Sequence, residues 1–216
     1  MKFHTLLFDL DGTLTDPREG ITRCIQHALE QLGKPAPSTH DLLWCIGPPL
    51  RGSFQELLAG EPPEMVEQAL RLYRERFSTV GKFENKVYPD IPDVLDRLRR
   101  QGAELFIATS KPAVFAKEIA EHFNLLLYFR KVYGSELTGK LTLKVDLIKH
   151  LLEAESLDRS TTVMIGDRSF DILGAKQSGI ASIGVTYGFG SRQELEEAGA
   201  SWIVNSPSGI NDCIAK

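Results

Sequence analysis

The segment Phe8-Asp9-Leu10-Asp11-Gly12-Thr13-Leu14-Thr15-Asp16 closes an apolar run with two carboxylates one residue apart. The arrangement recurs in Val163-Met164-Ile165-Gly166-Asp167-Arg168-Ser169-Phe170-Asp171, where a second apolar run ends in an aspartate and another follows four residues on. Two carboxylates about 4 Å apart repel by roughly 4 kcal/mol at an effective dielectric of 20, so such ends need compensation. Taken singly, Asp16 or Asp171 reads as a turn or helix-capping residue. Taken together, two such ends lying side by side would converge three or four carboxylates on one spot, and that cluster requires a cation. All-oxygen donors with no paired Cys or His select a hard ion, and Mg²⁺ keeping several of its waters suits them.

Carboxylates meet in this way at the carboxyl ends of neighbouring parallel strands. Residues 3–8, 105–109, 163–165 and 180–185 read as buried strands, and 202–204 as a weaker one. Helical periods lie between them: Val94, Leu95 and Leu98; Phe115, Ile119 and Phe123; Leu147, Ile148, Leu151 and Leu152. Strands alternating with helices give the fold class α/β, a Rossmann-like doubly wound parallel sheet. From residue 17 to 87 no strand is evident. Three helical stripes occupy that stretch: Ile21 to Leu32, a second near Leu57 and Leu58, and Met65, Ala69, Leu72, Tyr73 and Phe77. Turn signals at Gly33-Lys34-Pro35, Gly47-Pro48-Pro49 and Gly60-Glu61-Pro62-Pro63 separate them. The expected organisation is a core domain of residues 1–16 and 88–216 with an all-helical cap domain, 17–87, inserted. Trp44 and Cys45 are expected to pack inside the cap.

The 216 residues are 42% hydrophobic and 25% charged, which suits a globular chain rather than a disordered or collagenous one. A net charge of −4 leaves no basic excess for a nucleic acid polymer. No apolar run nears the roughly 20 residues a membrane span needs. Cys24, Cys45 and Cys213 are odd in number and widely spaced, so reduced thiols and a cytoplasmic location are expected. The N-terminus carries no signal-peptide pattern.

The run Asp9-Leu10-Asp11-Gly12-Thr13-Leu14-Thr15-Asp16 resembles the first motif of the haloacid dehalogenase superfamily, and Gly166-Asp167-Arg168-Ser169-Phe170-Asp171 resembles the fourth. Ile46-Gly47-Pro48-Pro49-Leu50, Ala108-Thr109-Ser110-Lys111-Pro112 and Gly134-Ser135-Glu136-Leu137 are similar to phrases of its phosphoglycolate phosphatase-like branch. The resemblance covers essentially the whole chain. It implies a Mg²⁺-dependent phosphatase acting on small phosphorylated metabolites, phosphoglycolate first and a nucleoside monophosphate close behind.

The resemblance makes Asp9 the nucleophile that forms an aspartyl-phosphate, and Asp11 the acid and then the base. It assigns the metal to Asp9, the backbone carbonyl of Asp11, Asp167 and Asp171. Thr109, in the position of the second motif, would donate its hydroxyl to a phosphoryl oxygen, and Ser110 could add a further donor. A lysine between the second and fourth motifs is also implied, to pair the nucleophile and the transferring group. Lys144 is favoured. Lys140 and Lys149 compete, because the Pro-x-Pro that many relatives carry after this lysine is absent. Lys111 reads as a surface charge and is left outside the site. In the cap, Arg51 is the candidate for gripping a substrate carboxylate or second phosphate with two bonds.

Two alternatives stand beside the phosphatase. A phosphomutase would use the same Asp9 and Asp11 but return the phosphoryl group to substrate. A phospho-acceptor signalling module also sets an Asp, a hydroxyl and a Lys on a parallel sheet, but it needs neither the helical insertion nor Asp11. The expected partner is a small phosphorylated metabolite, with no nucleic acid and no membrane, for a monomer or weak homodimer.

Overall fold

The computed structural model describes residues 2–215. In chain order the elements are β1 (Thr5–Phe8), β2 (Thr15–Asp16), α1 (Arg18–Gln31), α2 (Leu50–Leu57), α3 (Pro63–Thr79), β3 (Lys86–Val87), α4 (Ile91–Arg100), β4 (Glu104–Pro112) and α5 (Ala113–His122). They continue with β5 (Lys131–Ser135), α6 (Lys144–Ala154), β6 (Thr162–Gly166), α7 (Ser169–Gln177), β7 (Ala181–Val185), α8 (Arg192–Ala198), β8 (Trp202–Val204) and α9 (Ser208–Ala215). The chain divides into two compact units, Met1–Asp16 with Val87–Lys216, and Pro17–Lys86.

Among the described residues of the first unit, six strands form a parallel sheet in the order β5-β4-β1-β6-β7-β8. The order runs outward from β1 in both directions, as a doubly wound sheet does. β1 is buried at every position and reads as a continuous apolar run, because helices cover both faces of such a sheet. On one face Leu7, Phe106, Ala108, Tyr133 and Met164 meet Leu147, Ile148, Leu151 and Leu152 of α6. Each of those four side chains gains about 1.5–3 kcal/mol from burial, so the α6 stripe fixes the rotation of the helix about its axis.

β5 is absent from the sequence-based strands. Its Lys-Val-Tyr-Gly-Ser has no sustained apolar run, and as an edge strand it has a single neighbour to satisfy. The two-residue β2 and β3 pair in a small separate sheet, and β3 ends a stretch in which no strand was evident. Two residues are too short for periodicity to register.

In the second unit, α1 buries Ile21, Cys24, Ile25, Ala28 and Leu29. α3 buries Val66, Ala69, Leu70, Tyr73 and Phe77, one stripe with neighbours three or four residues apart that leaves Met65 and Leu72 half-buried beside it rather than in it. Tyr73 stacks on Phe77 at 5.3 Å and meets Phe54 edge-on at 6.2 Å. Cys45 is buried, but Trp44 is 38% exposed, against expectation. Both lie on a short 3₁₀ turn, His40–Cys45. With three residues per turn, Leu42 and Cys45 share the inward face and Trp44 falls outside it.

Candidate active site

The register of the sheet assembles the site. Phe8 lies level with Ile107 of β4 and Ile165 of β6. The residues that leave the sheet just beyond it therefore come from the first, second and fourth motifs together. The Asp9 N–H donates to the Ile165 carbonyl at 2.9 Å, which holds the turn to β6. Asp9, Asp11, Thr109, Asp167 and Asp171 are all buried, from 0% to 8% exposed.

Lys144 joins them from the first turn of α6. It stands three, four and seven residues before Leu147, Ile148 and Leu151, so the stripe that buries the helix carries Lys144 to the same face. Lys140 and Lys149 are exposed. Nζ of Lys144 lies 3.0 Å from Asp9 Oδ1 and 2.7 Å from Asp171 Oδ1. Its well-aligned hydrogen bond, 2.9 Å, goes to the Ala108 carbonyl, so its hold on the carboxylates is mainly Coulombic. Burial alone would lower the lysine, but the attraction of Asp171 and Asp9 outweighs it and leaves the ammonium more firmly protonated than usual.

Asp167 sits at the end of β6. Its Oδ2 accepts from the Phe189 N–H at 2.8 Å, and its Oδ1 accepts from the Thr13 hydroxyl at 3.4 Å. Gly12, at φ +83°, passes so close that a Cβ there would fall 2.2 Å from Asp167 Oδ2. Only glycine meets both demands. Burial, then Asp171 and Asp9, push the Asp167 carboxyl well above its ordinary 3.8. Burial raises Asp171 to about 6 against the pull of Lys144. Its Oδ2 also accepts from the Arg168 N–H at 3.2 Å, which ties it to the first turn of α7.

Asp9, Asp167 and Asp171 each offer an oxygen within 4.8 Å of the others. Four buried carboxyls, Asp11 included, face the two buried ammoniums of Lys144 and Lys111, so the cluster carries an acidic surplus. An oxygen-only, surplus-negative donor set fits a hard divalent cation, whose charge would pull both raised carboxyls back down. The side chain of Asp11 is not part of that triplet.

Lys111 departs furthest from expectation. Its side chain is 6% exposed, and its Nζ lies 2.8 Å from Asp11 Oδ2. The strand it belongs to, β4, runs on past Thr109 with a register shift between Thr109 and Pro112 that turns this lysine inward. Its N–H donates to Thr109 Oγ1 at 3.3 Å. Ser110 is half-buried, and its carbonyl accepts from the Ser135 hydroxyl at 2.8 Å. Burial raises the Asp11 carboxyl above its ordinary value, and Lys111 opposes that rise.

The segment after β7 was also missed. Besides the Phe189 N–H, the Tyr187 hydroxyl donates to the Thr13 carbonyl at 3.0 Å and bridges the first-motif loop to this one. The available signal was Tyr187-Gly188-Phe189-Gly190, an aromatic-glycine alternation just past a buried strand end. Arg51 belongs to the helical unit, where it is exposed and paired with Glu67.

Comparison with known proteins follows the same lines. The sequence profile of the haloacid dehalogenase-like hydrolases matches residues 6–185. A 5′-nucleotidase of Pseudomonas aeruginosa is 50% identical over 195 residues, 90% of this chain and 88% of its own. The tyrosine-protein kinase PtkA of Mycobacterium tuberculosis is 32% identical over 93% of this chain and 68% of its own. The crystal structure of a predicted phosphatase from Clostridium acetobutylicum superposes with a TM-score of 0.94 at 43% identity, covering 100% of this chain and 99% of that one. No helix among the described residues is long and apolar enough to cross a membrane.

Proposed function

Because the chain belongs to the haloacid dehalogenase-like hydrolases and is a phosphoric monoester hydrolase, we propose that it cleaves a nucleoside 5′-monophosphate, or a metabolite of similar size, through an aspartyl-phosphate on Asp9. The observation that carries this reading is the buried Asp9 carboxylate held 3.0 Å from Lys144 at the meeting of three motif ends. Lys144 keeps Asp9 in place and neutralises charge as the phosphoryl group arrives. An Asp9 oxygen bonds to phosphorus while the ester oxygen departs with a proton from Asp11. Asp11 then takes a proton from the water that attacks the intermediate, which frees Asp9 and releases phosphate. The Thr109 hydroxyl would donate to a phosphoryl oxygen, with Ser110 as a further donor. Held by Asp9, Asp167 and Asp171, with the Asp11 carbonyl as a further donor, Mg²⁺ would neutralise the carboxylates and the phosphoryl oxygens.

The 5′-nucleotidase relative, which shares half of its aligned residues with this chain, supports a nucleoside 5′-monophosphate over phosphoglycolate. Residues 17–86 would act as the cap that sets specificity, with Arg51 exchanging Glu67 for a second anionic group of the substrate. Cys24, Cys45 and Cys213, odd in number and in no disulfide among the described residues, fit the expected cytoplasmic location. The kinase relative supports a second reading, transfer of the phosphoryl group to an acceptor other than water.

Phosphate release across a panel of nucleoside monophosphates, phosphoglycolate and sugar phosphates, with Mg²⁺ and again with chelator, tests these assignments. Turnover is expected to stop on chelation and to be fastest on a nucleotide. Chelator-insensitive turnover would overturn the metal assignment, and phosphorylated product in place of free phosphate would favour the second reading. Arg51→Ala should slow the preferred substrate more than a small generic ester.

A further inference from the structure

We propose that Lys111 is a positioning residue for the acid step: it holds Asp11 by one oxygen, so that the other delivers its proton to the departing ester oxygen. The inference rests on the assignment of Asp11 as the acid and goes beyond it. Nζ of Lys111 lies 2.8 Å from Asp11 Oδ2, both side chains are about nine-tenths buried, and Asp11 Oδ1 is buried with no hydrogen-bond partner. A carboxyl on two flexible torsions loses its aim unless one oxygen is tethered, and misplacement by an ångström costs rate. The tether is itself held. The Lys111 N–H donates to Thr109, and Ser135 grips the Ser110 carbonyl. Gly134 supplies the space, since a Cβ there would meet the Lys111 carbonyl at 2.5 Å.

In the step itself the P–O(ester) bond breaks as the P–O(Asp9) bond forms, and the proton moves from Asp11 Oδ1 to the ester oxygen. Lys111 keeps all its protons and faces the carboxylate that Asp11 becomes. That carboxylate is the base required by the second half of the cycle, so one tether serves both halves.

The consequence is selective. An aryl phosphate expels a stable phenolate and needs little help from an acid, whereas an alkyl ester such as a nucleoside monophosphate needs a great deal. The value of kcat/KM reports only the steps through alcohol release, so it isolates the acid's contribution. Lys111→Met should lower kcat/KM on the nucleoside monophosphate about 10²-fold, within the range for acid-base assistance, and on p-nitrophenyl phosphate at least tenfold less. Lys111→Arg should recover part of the loss. In an Asp11→Ala background, Lys111→Met should cost less than about twofold, because groups acting as a unit are not additive.

Equal losses on both esters, or additive losses in the double variant, would overturn the inference and make Lys111 a phosphate-binding or purely structural residue. Asp11→Ala alone separates the two levels. If it slows both esters equally, the acid assignment fails and takes the inference with it. If it discriminates and Lys111→Met does not, the inference alone fails. Should Lys111→Met not fold, Lys111→Gln gives the same ratio.

Discussion

The two units of this chain use the same residue types to opposite ends. In the sheet unit, Asp9, Asp11, Asp167 and Asp171 are buried against two buried ammoniums, those of Lys111 and Lys144. In the helical unit, Glu84 sits between Arg76 and Arg23 at 2.6 and 3.1 Å, and Glu19 pairs with Arg23 at 3.0 Å, all nearer the surface. The first group has too many carboxyls, and those of Asp11, Asp167 and Asp171 are raised. The second matches two arginines to two glutamates, and its Glu84 carboxyl is lowered. Burial without enough counter-charge costs stability, and a paired network at the surface contributes a little. The surplus in the sheet unit belongs to the proposed chemistry, whereas the balance in the helical unit serves the fold.

The largest test of this contrast is Asp9→Asn. If the sheet cluster is kept for chemistry, the amide should reduce turnover by about 10⁴-fold or more, as loss of a nucleophile does. It should not lower the melting temperature of the metal-free protein, because it removes one charge from an over-acidic cluster. Phosphate release and thermal unfolding on the same preparation check both halves. A stable variant that retains activity would move the nucleophile elsewhere, and a marked loss of stability would contradict the surplus.

Lys144→Met should cost stability as well as rate. Losing charge stabilisation costs about 10²–10³-fold in rate, and breaking a buried pair costs about 3–5 kcal/mol. The stability loss should be greatest at neutral pH and shrink toward pH 5, where protonation relieves Asp171. Denaturant unfolding at both pH values measures it, and a loss independent of pH would mean the lysine matters through packing alone.

The same contrast explains what could be read from the sequence. The carboxylates were legible because charge at the end of an apolar run is costly and therefore conspicuous. Asp9, Asp167 and the sheet that carries them follow from that cost and from the alternation of strands with helices. Lys144 was legible only in part, since its place on the α6 stripe separates it from Lys140 and Lys149 but the stripe begins three residues later. Lys111 was not legible. Nothing in Thr-Ser-Lys-Pro says that the strand continues past Thr109, and the turn depends on Gly134 of a neighbouring edge strand that periodicity does not find. The Phe189 N–H was invisible for a different reason, because a backbone donor carries no residue signature. Trp44 shows a further limit: its apolar side chain suggests burial, but on a 3₁₀ turn the period of three that turns Leu42 and Cys45 inward leaves it outside.

The smallest effect lies in the helical unit, and its sign is what matters. Hydrogen bonding to Arg76 holds the Glu84 carboxyl below its ordinary 4.5 in the folded chain. A depressed carboxyl contributes stability that is complete above the unfolded value and is lost as pH falls through the lower, folded one. Glu84→Gln should therefore cost about 1 kcal/mol or less at pH 7, and the cost should vanish in acid. The unfolding curve of the wild-type chain alone cannot reveal this, because Asp167 and Asp171, shifted upward, contribute with the opposite slope. They favour the folded state at low pH and weigh against it as pH rises, Asp171 through about 6. The difference between wild type and Glu84→Gln, measured by urea unfolding at intervals from pH 7 to pH 3, cancels that common background. It should be flat above pH 5 and close toward zero below. A difference that widened in acid would mean that Glu84 is not held by Arg76 as a carboxylate, and the contrast between the units would lose its helical side.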